Sequence, residues 1–497
     1  MGTGFRTTLF ETVGSRQVLA MRRLLLLACC AFMAAPLLAA NEWTHASSDH
    51  FDIYTTSGNR RAREALTYFE RVHAYFFSQP NLSPRLTRPI RLVVFSNPRE
   101  FRPYRPFESA IAYYRSSVDR DYIVMQSFGP DDYPVVVHEF VHMILARGRV
   151  RYPVWLSEGL AEYYSTVSLL GTLVTVGRSP ENRLQDLSVT ALLPLDRLFA
   201  VTRAADEYRT VEHAGPYYAE SWALTHMLLT DPRYRGRSDR FFEVARGGTS
   251  TAETFRAVYA KTVKEVERDL NNYVRDGRFV ERTARYRPPP RRAEAPVRAM
   301  SAFEADLVLA NLLAAGTEDR MKARAAFDAL ARQRPDDLPL IESRALFEMR
   351  AGRAPEARGY FARAVELGST DAQTYREYAR LVGASDTALV EQLLQTAVSL
   401  QPGDVQTRVM LAGLLATHEP ASVLAVLEPV TGSNPPLAFN VFQLRTNAHV
   451  ALNQLEQARD AAREVVRIAA GRQQQALAAN LLAQVEKSLA AQTSAAR

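Results

Sequence analysis

The sequence predicts two folded domains in series, an α+β domain followed by an all-α solenoid of helical hairpins. In roughly the first 280 residues, short runs rich in aromatic and β-branched side chains alternate with segments of helical spacing. A segment rich in proline and arginine then follows at residues 283–300. Beyond it, apolar positions recur every 33 or 34 residues: Phe327, Phe361, Leu394, Leu427 and Ala461.

The α+β prediction for the first domain rests on four candidate strands and one helix. Aromatic and β-branched residues are typical of strands, whereas the helix has apolar residues at three- and four-residue spacing. The strands are Phe51–Thr55, Ile90–Phe95, Ala110–Tyr114 and Tyr122–Met125, and the helix is Arg61–Ser78.

The second domain is predicted as stacked helical hairpins because its period is that of a two-helix unit. Pro335, Pro402 and Pro435 each follow a repeating position by eight residues, where a second helix would stop. The pattern resembles tetratricopeptide repeats in a divergent form, which implies binding of protein partners on a concave face. The alternative is an irregular helical bundle.

Composition argues against a mostly disordered chain, a collagen-like chain and a nucleic-acid-binding protein. Of 497 residues, 47% are hydrophobic and 23% are charged, as in ordinary globular chains. The net charge is +7, and +3 of it comes from four arginines and one glutamate in the first forty residues. The remaining excess is too weak to indicate a nucleic-acid partner.

The beginning of the chain is typical of a secretory signal peptide. Met21-Arg22-Arg23 precedes an apolar stretch that ends in small residues, so we expect residues 1–40 to be removed after Ala40, with Met21 as an alternative start. The mature protein is then secreted or periplasmic and has no membrane span. The alternatives are a retained anchoring helix, which Pro36 disfavours, and a lipid anchor at Cys29, for which the preceding apolar run is short.

Cysteine chemistry is absent from the mature chain if this cleavage occurs. Both cysteines, Cys29 and Cys30, lie inside the signal peptide. Disulfides and cysteine-ligated zinc are therefore excluded.

The motif that carries chemistry is His138-Glu139-Phe140-Val141-His142, within a helix predicted between Asp131 and Gly148. The aspartates and Pro134 suit the first turn of a helix, and Gly148 suits a left-handed end. One turn separates the two histidines, so both imidazoles can bind one Zn²⁺ ion. Glu139 lies beside them, where its carboxylate can take a proton from the attacking water.

A catalytic zinc site needs a third protein ligand and an open position. The nearest candidates downstream are Glu158 and Glu162, in the run Trp-Leu-Ser-Glu-Gly-Leu-Ala-Glu-Tyr at residues 155–163. We take Glu158 as the third ligand. This run, after His-Glu-x-x-His, resembles the gluzincin peptidases, which include aminopeptidase N, and especially bacterial peptidase MA-like domains.

The resemblance implies a zinc metallopeptidase domain over residues 41–282, a linker at 283–300 and repeats at 301–497. It implies that Glu158 is the metal ligand and that Glu162 orients a ligating histidine. It also implies an oxyanion donor some sixty residues further on. We assign Tyr218, with Tyr217, His213 and His226 as alternatives.

The specificity of the predicted peptidase is left open. The Gly-Ala-Met-Glu-Asn motif, with which relatives of aminopeptidase N hold a free amino terminus, is missing, so aminopeptidase action is unsupported. Peptides or proteins are the expected substrates.

The remaining histidines show no ligand spacing, and we interpret them as surface or core residues: His45, His50, His73, His418 and His449. A different class of function also remains, that of a non-catalytic envelope adaptor with a structural zinc domain and partner-binding repeats. The presence of Glu139 favours the enzyme.

Overall fold

The computed structural model divides the chain into two compact units, one ending at Ala305 and the other beginning at Asp306. No helix in the described part of the chain is both long and apolar enough to cross a membrane. The predicted signal peptide lies outside the described residues. These are 42–78, 88–108, 110–117, 120–127, 129–148, 150–205, 208, 211–246, 249–289, 296–316, 318–430 and 435–495.

The first unit contains the predicted α+β fold. Its main sheet has six strands in the order β4-β5-β3-β2-β1-β9, and β2, β3 and β5 run parallel in its centre. A second sheet has the antiparallel order β6-β7-β8. The strands are β1 (Thr44–Ser47), β2 (Phe51–Thr55), β3 (Ile90–Val94), β4 (Ala112–Ser116), β5 (Asp121–Met125), β6 (Ser168–Leu170), β7 (Leu173–Val176), β8 (Arg282–Arg285) and β9 (Val297–Ala299).

The helices of the first unit cover the main sheet and share one hydrophobic core with it. The helices are α1 (Asn59–Phe77), α2 (Pro98–Phe101), α3 (Tyr133–Arg147), α4 (Val154–Ser165), α5 (Glu181–Val189), α6 (Leu195–Ala200), α7 (Val211–Thr230), α8 (Ser238–Arg246), α9 (Thr251–Tyr259) and α10 (Val263–Asp276). Short 3₁₀ turns lie at Arg102–Tyr104, Pro130–Asp132 and Arg235–Arg237.

The centre of the core explains why α3 is held firmly. Ile53, Leu92 and Ile123 are paired across the parallel strands and are fully buried. Phe140 of α3 packs on Phe51 of β2, with ring centroids 6.0 Å apart, and on Phe76 of α1 at 5.7 Å. The metal-motif helix therefore lies on the sheet through its apolar face.

The segment expected to be a linker belongs to the first unit. Arg282–Arg285 pairs with β7, and Val297–Ala299 pairs with β1. This pairing satisfies backbone donors and acceptors that a free linker would leave to water. Arg282–Arg285 and Val297–Ala299 are extended strands, and the boundary between the units lies after Ala305.

Two expected details of α3 are wrong. Asp132 makes no capping bond to α3, because its carboxylate accepts from the Gly129 amide at 2.7 Å and the Ser127 hydroxyl at 3.1 Å. Gly148 follows the helix with φ of −71°, which is right-handed.

The second unit consists of the predicted helical hairpins. The second helices of successive pairs begin at Arg320, Ala354, Thr387, Pro420 and Leu455, 33 to 35 residues apart. The helices are α11 (Ala302–Ala314, which spans the boundary), α12 (Arg320–Gln333), α13 (Leu338–Arg350), α14 (Ala354–Glu366), α15 (Ala372–Val382), α16 (Thr387–Leu400), α17 (Val405–Leu415), α18 (Pro420–Leu427), α19 (Pro435–Ala451), α20 (Leu455–Ile468) and α21 (Gly471–Ala495). A 3₁₀ turn lies at Gly383–Ser385.

The five repeating residues have the same place in each hairpin. All lie on the second helix and are buried, and they are Phe327, Phe361, Leu394, Leu427 and Ala461. Pro335 and Pro402 follow the ends of α12 and α16, as expected. Pro435 instead begins α19, where its missing N–H costs nothing, and α18 ends earlier, at Leu427.

Candidate metal centre

The centre of the site lies between α3 and α4. His138 and His142 are one turn apart on α3, and Glu158 projects from α4. Gly159 follows that glutamate at a close approach of α4 to α7. A Cβ there would lie 2.1 Å from Thr225 Oγ1 and 2.3 Å from the Ser221 carbonyl oxygen, so only glycine fits.

Three potential ligand atoms meet at one point. His142 Nε2 lies 3.1 Å from His138 Nε2 and 3.1 Å from Glu158 Oε2, and His138 Nε2 lies 3.3 Å from the same oxygen. Tetrahedral zinc with bonds of about 2.0–2.1 Å spaces its ligand atoms about 3.3–3.4 Å apart. The triangle therefore fits a zinc ion with almost no rearrangement.

An oxygen atom lies close to the second ring nitrogen, Nδ1, of each imidazole. Glu162 Oε1 lies 3.3 Å from His138 Nδ1, and Ser157 Oγ lies 3.3 Å from His142 Nδ1. With Nδ1–H donating to these oxygens, each Nε2 presents its lone pair to the shared point. Glu162 thus lies next to His138, and its predicted role toward a metal ligand stays a prediction.

Arg183 fixes Glu162 in turn. It lies on α5 and donates to Glu162 Oε2 at 3.0 Å through Nε and to Oε1 at 2.8 Å through Nη2. This fork restricts the carboxylate to one orientation. Neither Arg183 nor Ser157 was identified from the sequence. Ser157 stands inside the conspicuous Trp-Leu-Ser-Glu run, whereas Arg183 has no local signal.

The electrostatics of the buried cluster favour a cation. Burial alone would lower the pKa of His138, but hydrogen bonds with Glu158 and Glu162 raise it to about 10. Burial alone would raise the pKa of Glu158, yet the two histidines hold it well below its usual range. Without metal, the cluster therefore keeps a proton on His138, and a bound cation takes the place of that proton.

Glu139 lies beside the ligands and is tied to the edge of the main sheet. Its Oε2 accepts a 2.8 Å hydrogen bond from the backbone N–H of Tyr114 on β4. The side chain is only partly buried. A carboxylate oriented in this way, next to the metal ligands, can act as a general base toward a water molecule.

Two tyrosines complete the site. Tyr218 packs edge-on against His138, with ring centroids 6.0 Å apart. The hydroxyl of Tyr208, which sequence reasoning missed, donates to Glu158 Oε1 at 3.2 Å. Burial, followed by the charge of Glu158, raises the pKa of both phenols, so both stay protonated and can donate.

The alternatives to Tyr218 are placed differently. Tyr217 is fully buried in the core. His226 is also fully buried, and its ring nitrogens lie 2.6 Å from the Tyr273 hydroxyl and 2.9 Å from the Gly177 carbonyl oxygen. The His213 side chain lies outside the described residues. The sequence gives no signal for Tyr208, which belongs to no motif.

The histidines that sequence analysis left unassigned have separate environments. His45 contacts Asp52 at 3.0 Å, and His418 and His449 lie in the second unit. His50 and His73, expected to be unrelated, lie together with Glu70. Their ring centroids are 3.7 Å apart. Distant sequence positions meet here because β2 and α1 pack against each other, which local spacing does not reveal.

Comparisons with known proteins match the two units separately. A protein family described as "protein of unknown function (DUF1570)" matches residues 133–284, which contain the whole candidate metal centre. No curated protein matches the chain.

Solved structures that match include three proteins. YrrB, "a TPR protein with an unusual peptide-binding site", is 18% identical over 36% of this chain and 98% of its own, with a TM-score of 0.32. MamA is 15% identical over 34% and 95%, with a TM-score of 0.28. An O-GlcNAc transferase mutant from Thermobaculum terrenum is 17% identical over 27% and 30%, with a TM-score of 0.23. TM-scores this low indicate no more than a local likeness of helical hairpins.

Proposed function

We propose that the protein is an exported zinc-dependent peptidase of the gluzincin type. His138, His142 and Glu158 would hold the ion, and Glu139 would act as the general base. The observation that carries the proposal is the triangle of ligand atoms, with sides of 3.1, 3.1 and 3.3 Å. The likeness of Trp-Leu-Ser-Glu-Gly-Leu-Ala-Glu-Tyr to gluzincin sequences supports the assignment of the third ligand.

The chain's own groups supply the proton transfers. Bound zinc would contribute Lewis acidity toward water and the scissile carbonyl. Glu139 takes a proton from the attacking water and returns it to the leaving amine, which allows an amide bond to break at neutral pH. Tyr218 would donate to the oxyanion that forms from the carbonyl oxygen, and Tyr208 would do so only by releasing its hydrogen bond to Glu158.

The second unit would select substrates or partners. A stack of helical hairpins presents a continuous concave surface suited to protein segments, and a tethered domain raises the local concentration of whatever it binds. The basic and apolar start of the chain supports export to the periplasm or beyond. The substrates are thus peptides or proteins met outside the cytoplasm.

A non-catalytic adaptor is the second candidate, and the hairpin array favours it. Such an adaptor could use the same three ligands for a structural metal. It would have no need of a partly exposed carboxylate beside them, or of a phenol packed edge-on against His138. The presence of Glu139 in its hydrogen-bonded position supports catalytic turnover.

The test is the Glu139→Gln variant, in which the amide cannot accept the proton from water. We expect zinc content to be unchanged and hydrolysis of a peptide mixture, followed by mass spectrometry, to fall by about 10²–10⁴-fold. Glu243→Gln, at an exposed glutamate on α8, is the matched control and should keep full activity. Equal activity of Glu139→Gln and wild type would refute the mechanism. A zinc-loaded wild type that cleaves no peptide would favour the adaptor.

A further inference from the structure

A second group of potential metal ligands lies on the first unit, apart from α3 and α4. His50 immediately precedes β2, and Glu70 and His73 are three residues apart on α1, so they share one face of that helix. His50 Nδ1 lies 2.8 Å from Glu70 Oε2. One ligand atom from each of the three residues lies within 4.8 Å of the others.

We propose that His50, Glu70 and His73 bind a divalent transition-metal cation such as Zn²⁺. Two imidazoles and one carboxylate form a donor set that this ion accepts. Glu70 Oε1 is buried and has no hydrogen-bond partner within 3.5 Å among the described residues, although the nearby Ser48 hydroxyl helps to lower the pKa of this carboxyl group. A buried carboxylate oxygen without a partner is costly, and a cation at this position would satisfy it.

The walls of the site suit neutral imidazole ligands. The ring of His73 stacks on Phe77 at 4.1 Å and meets Phe51 edge-on at 6.1 Å, so it lies in an apolar environment. An apolar environment disfavours a charged ring and so favours the neutral imidazole that a metal ion binds.

The geometry also allows the ion to enter. Tetrahedral zinc requires ligand atoms about 3.3–3.4 Å apart, so the His50–Glu70 distance of 2.8 Å has to lengthen and any separation near the 4.8 Å limit has to shorten. The His50 side chain is 37% exposed, whereas Glu70 is 21% exposed. His50 is thus the residue that can turn toward the ion, and its open side leaves room for water as a fourth ligand.

A metal here would join the start of β2 to α1, and α3 packs on both of these elements. His50 also accepts a backbone hydrogen bond from Ile90 at the start of β3. Phe77, stacked on His73, lies 6.4 Å from Phe140 of α3, centroid to centroid. The role we assign is structural, namely to hold together the start of β2 and α1, on which α3 rests.

The experiment counts metal ions on the full chain. Tag-free protein is dialysed against low micromolar Zn²⁺, and bound zinc is measured by elemental analysis. We expect two equivalents for wild type, and one for His50→Ala and for Glu70→Gln, which keeps the side-chain size. His45→Ala, at a neighbouring histidine paired with Asp52, is the control and should keep two. His50→Ala should retain peptide hydrolysis.

The two metal sites can be separated by a variant that removes the first. His138→Ala/His142→Ala should retain one equivalent, which His50→Ala added to it should abolish. If His50→Ala and Glu70→Gln both bind as much zinc as wild type, the second site does not exist. If wild type binds one equivalent only, its loss in His50→Ala supports this site and its loss in His138→Ala/His142→Ala overturns it.

Discussion

The paired helices of the two units differ in the side chains that they bury between them. In the first unit, α3 and α4 turn polar side chains toward each other, and Glu158 is fully buried between them. In the second unit, the core residues of the hairpins are mostly apolar, and the same buried position repeats from one hairpin to the next. Within the described residues, both groups able to hold a metal lie in the first unit.

A closer comparison shows what makes a buried charge useful for chemistry. Each unit contains a buried glutamate held by a forked arginine. Arg183 holds Glu162, and Arg324 holds Glu348 at 2.7 and 2.9 Å. The difference is the third group, because His138 stands behind Glu162. The same kind of ion pair thus links two helices in one unit and holds a carboxylate against His138, a candidate metal ligand, in the other.

The largest effect in this comparison is expected from the tyrosines of the first unit. Tyr208→Phe and Tyr218→Phe each remove one hydroxyl that faces the glutamates. Loss of the true oxyanion donor should lower kcat by about 10²–10³-fold, or about 2.7–4 kcal/mol, with little change in KM. Steady-state kinetics of both variants identify the donor. Unchanged kcat in both would remove this role from the pair.

A smaller effect is expected at the arginine forks. Arg183→Met frees Glu162 to move and should weaken zinc affinity or activity by about 10–100-fold. Arg324→Met breaks the matching fork in the second unit and should leave both unchanged. Competition with a chromophoric chelator measures the affinities. Equal zinc affinities for Arg183→Met and wild type would show that Glu162 needs no support.

The smallest effect concerns stability, through a buried glutamate without an arginine. Glu220 is 2% exposed and accepts from the Leu193 amide at 2.8 Å, and burial raises its pKa to about 8. The folded state therefore binds more protons than the unfolded state between about pH 4.5 and pH 8. Stability should fall as the pH rises through this window, by up to a few kcal/mol.

Glu220→Gln should flatten that part of the curve, since the amide keeps an acceptor for Leu193 but carries no charge. Thermal unfolding midpoints between pH 4 and pH 9 measure the slope. Glu243→Gln is the exposed control and should follow wild type. A slope unchanged in Glu220→Gln would mean that the carboxyl is ionised at neutral pH in the folded protein.

The parts of the fold that sequence could predict are those with a local signal. Strands β2, β3, β4 and β5 follow from runs of aromatic and β-branched residues, and the five hairpins follow from a repeat. Strands β8 and β9 could not be predicted, because their residues are largely exposed arginines and alanines. Their pairing depends on strands that are distant in the sequence. For the same reason a domain boundary was placed too early.

The candidate site divides in the same way. His138, Glu139, His142 and Glu158 belong to two short motifs, so short sequence patterns were enough to identify them. Tyr208, Arg183 and the group at His50 reach their positions only through tertiary packing. No local pattern marks a residue that acts across 20 to 50 positions of chain, as Arg183 does on Glu162 and Tyr208 on Glu158.

The most direct test of the account is whether the first unit carries out the chemistry by itself. A fragment ending at Ser301 keeps β8 and β9 and the whole metal centre. We expect the zinc-loaded fragment to hydrolyse a short peptide with a kcat/KM within about threefold of the full chain, because every proposed catalytic group is present. It should lose activity on a protein substrate that the repeats bind. A folded, zinc-containing fragment that cleaves no peptide cleaved by the full chain would contradict this division of labour.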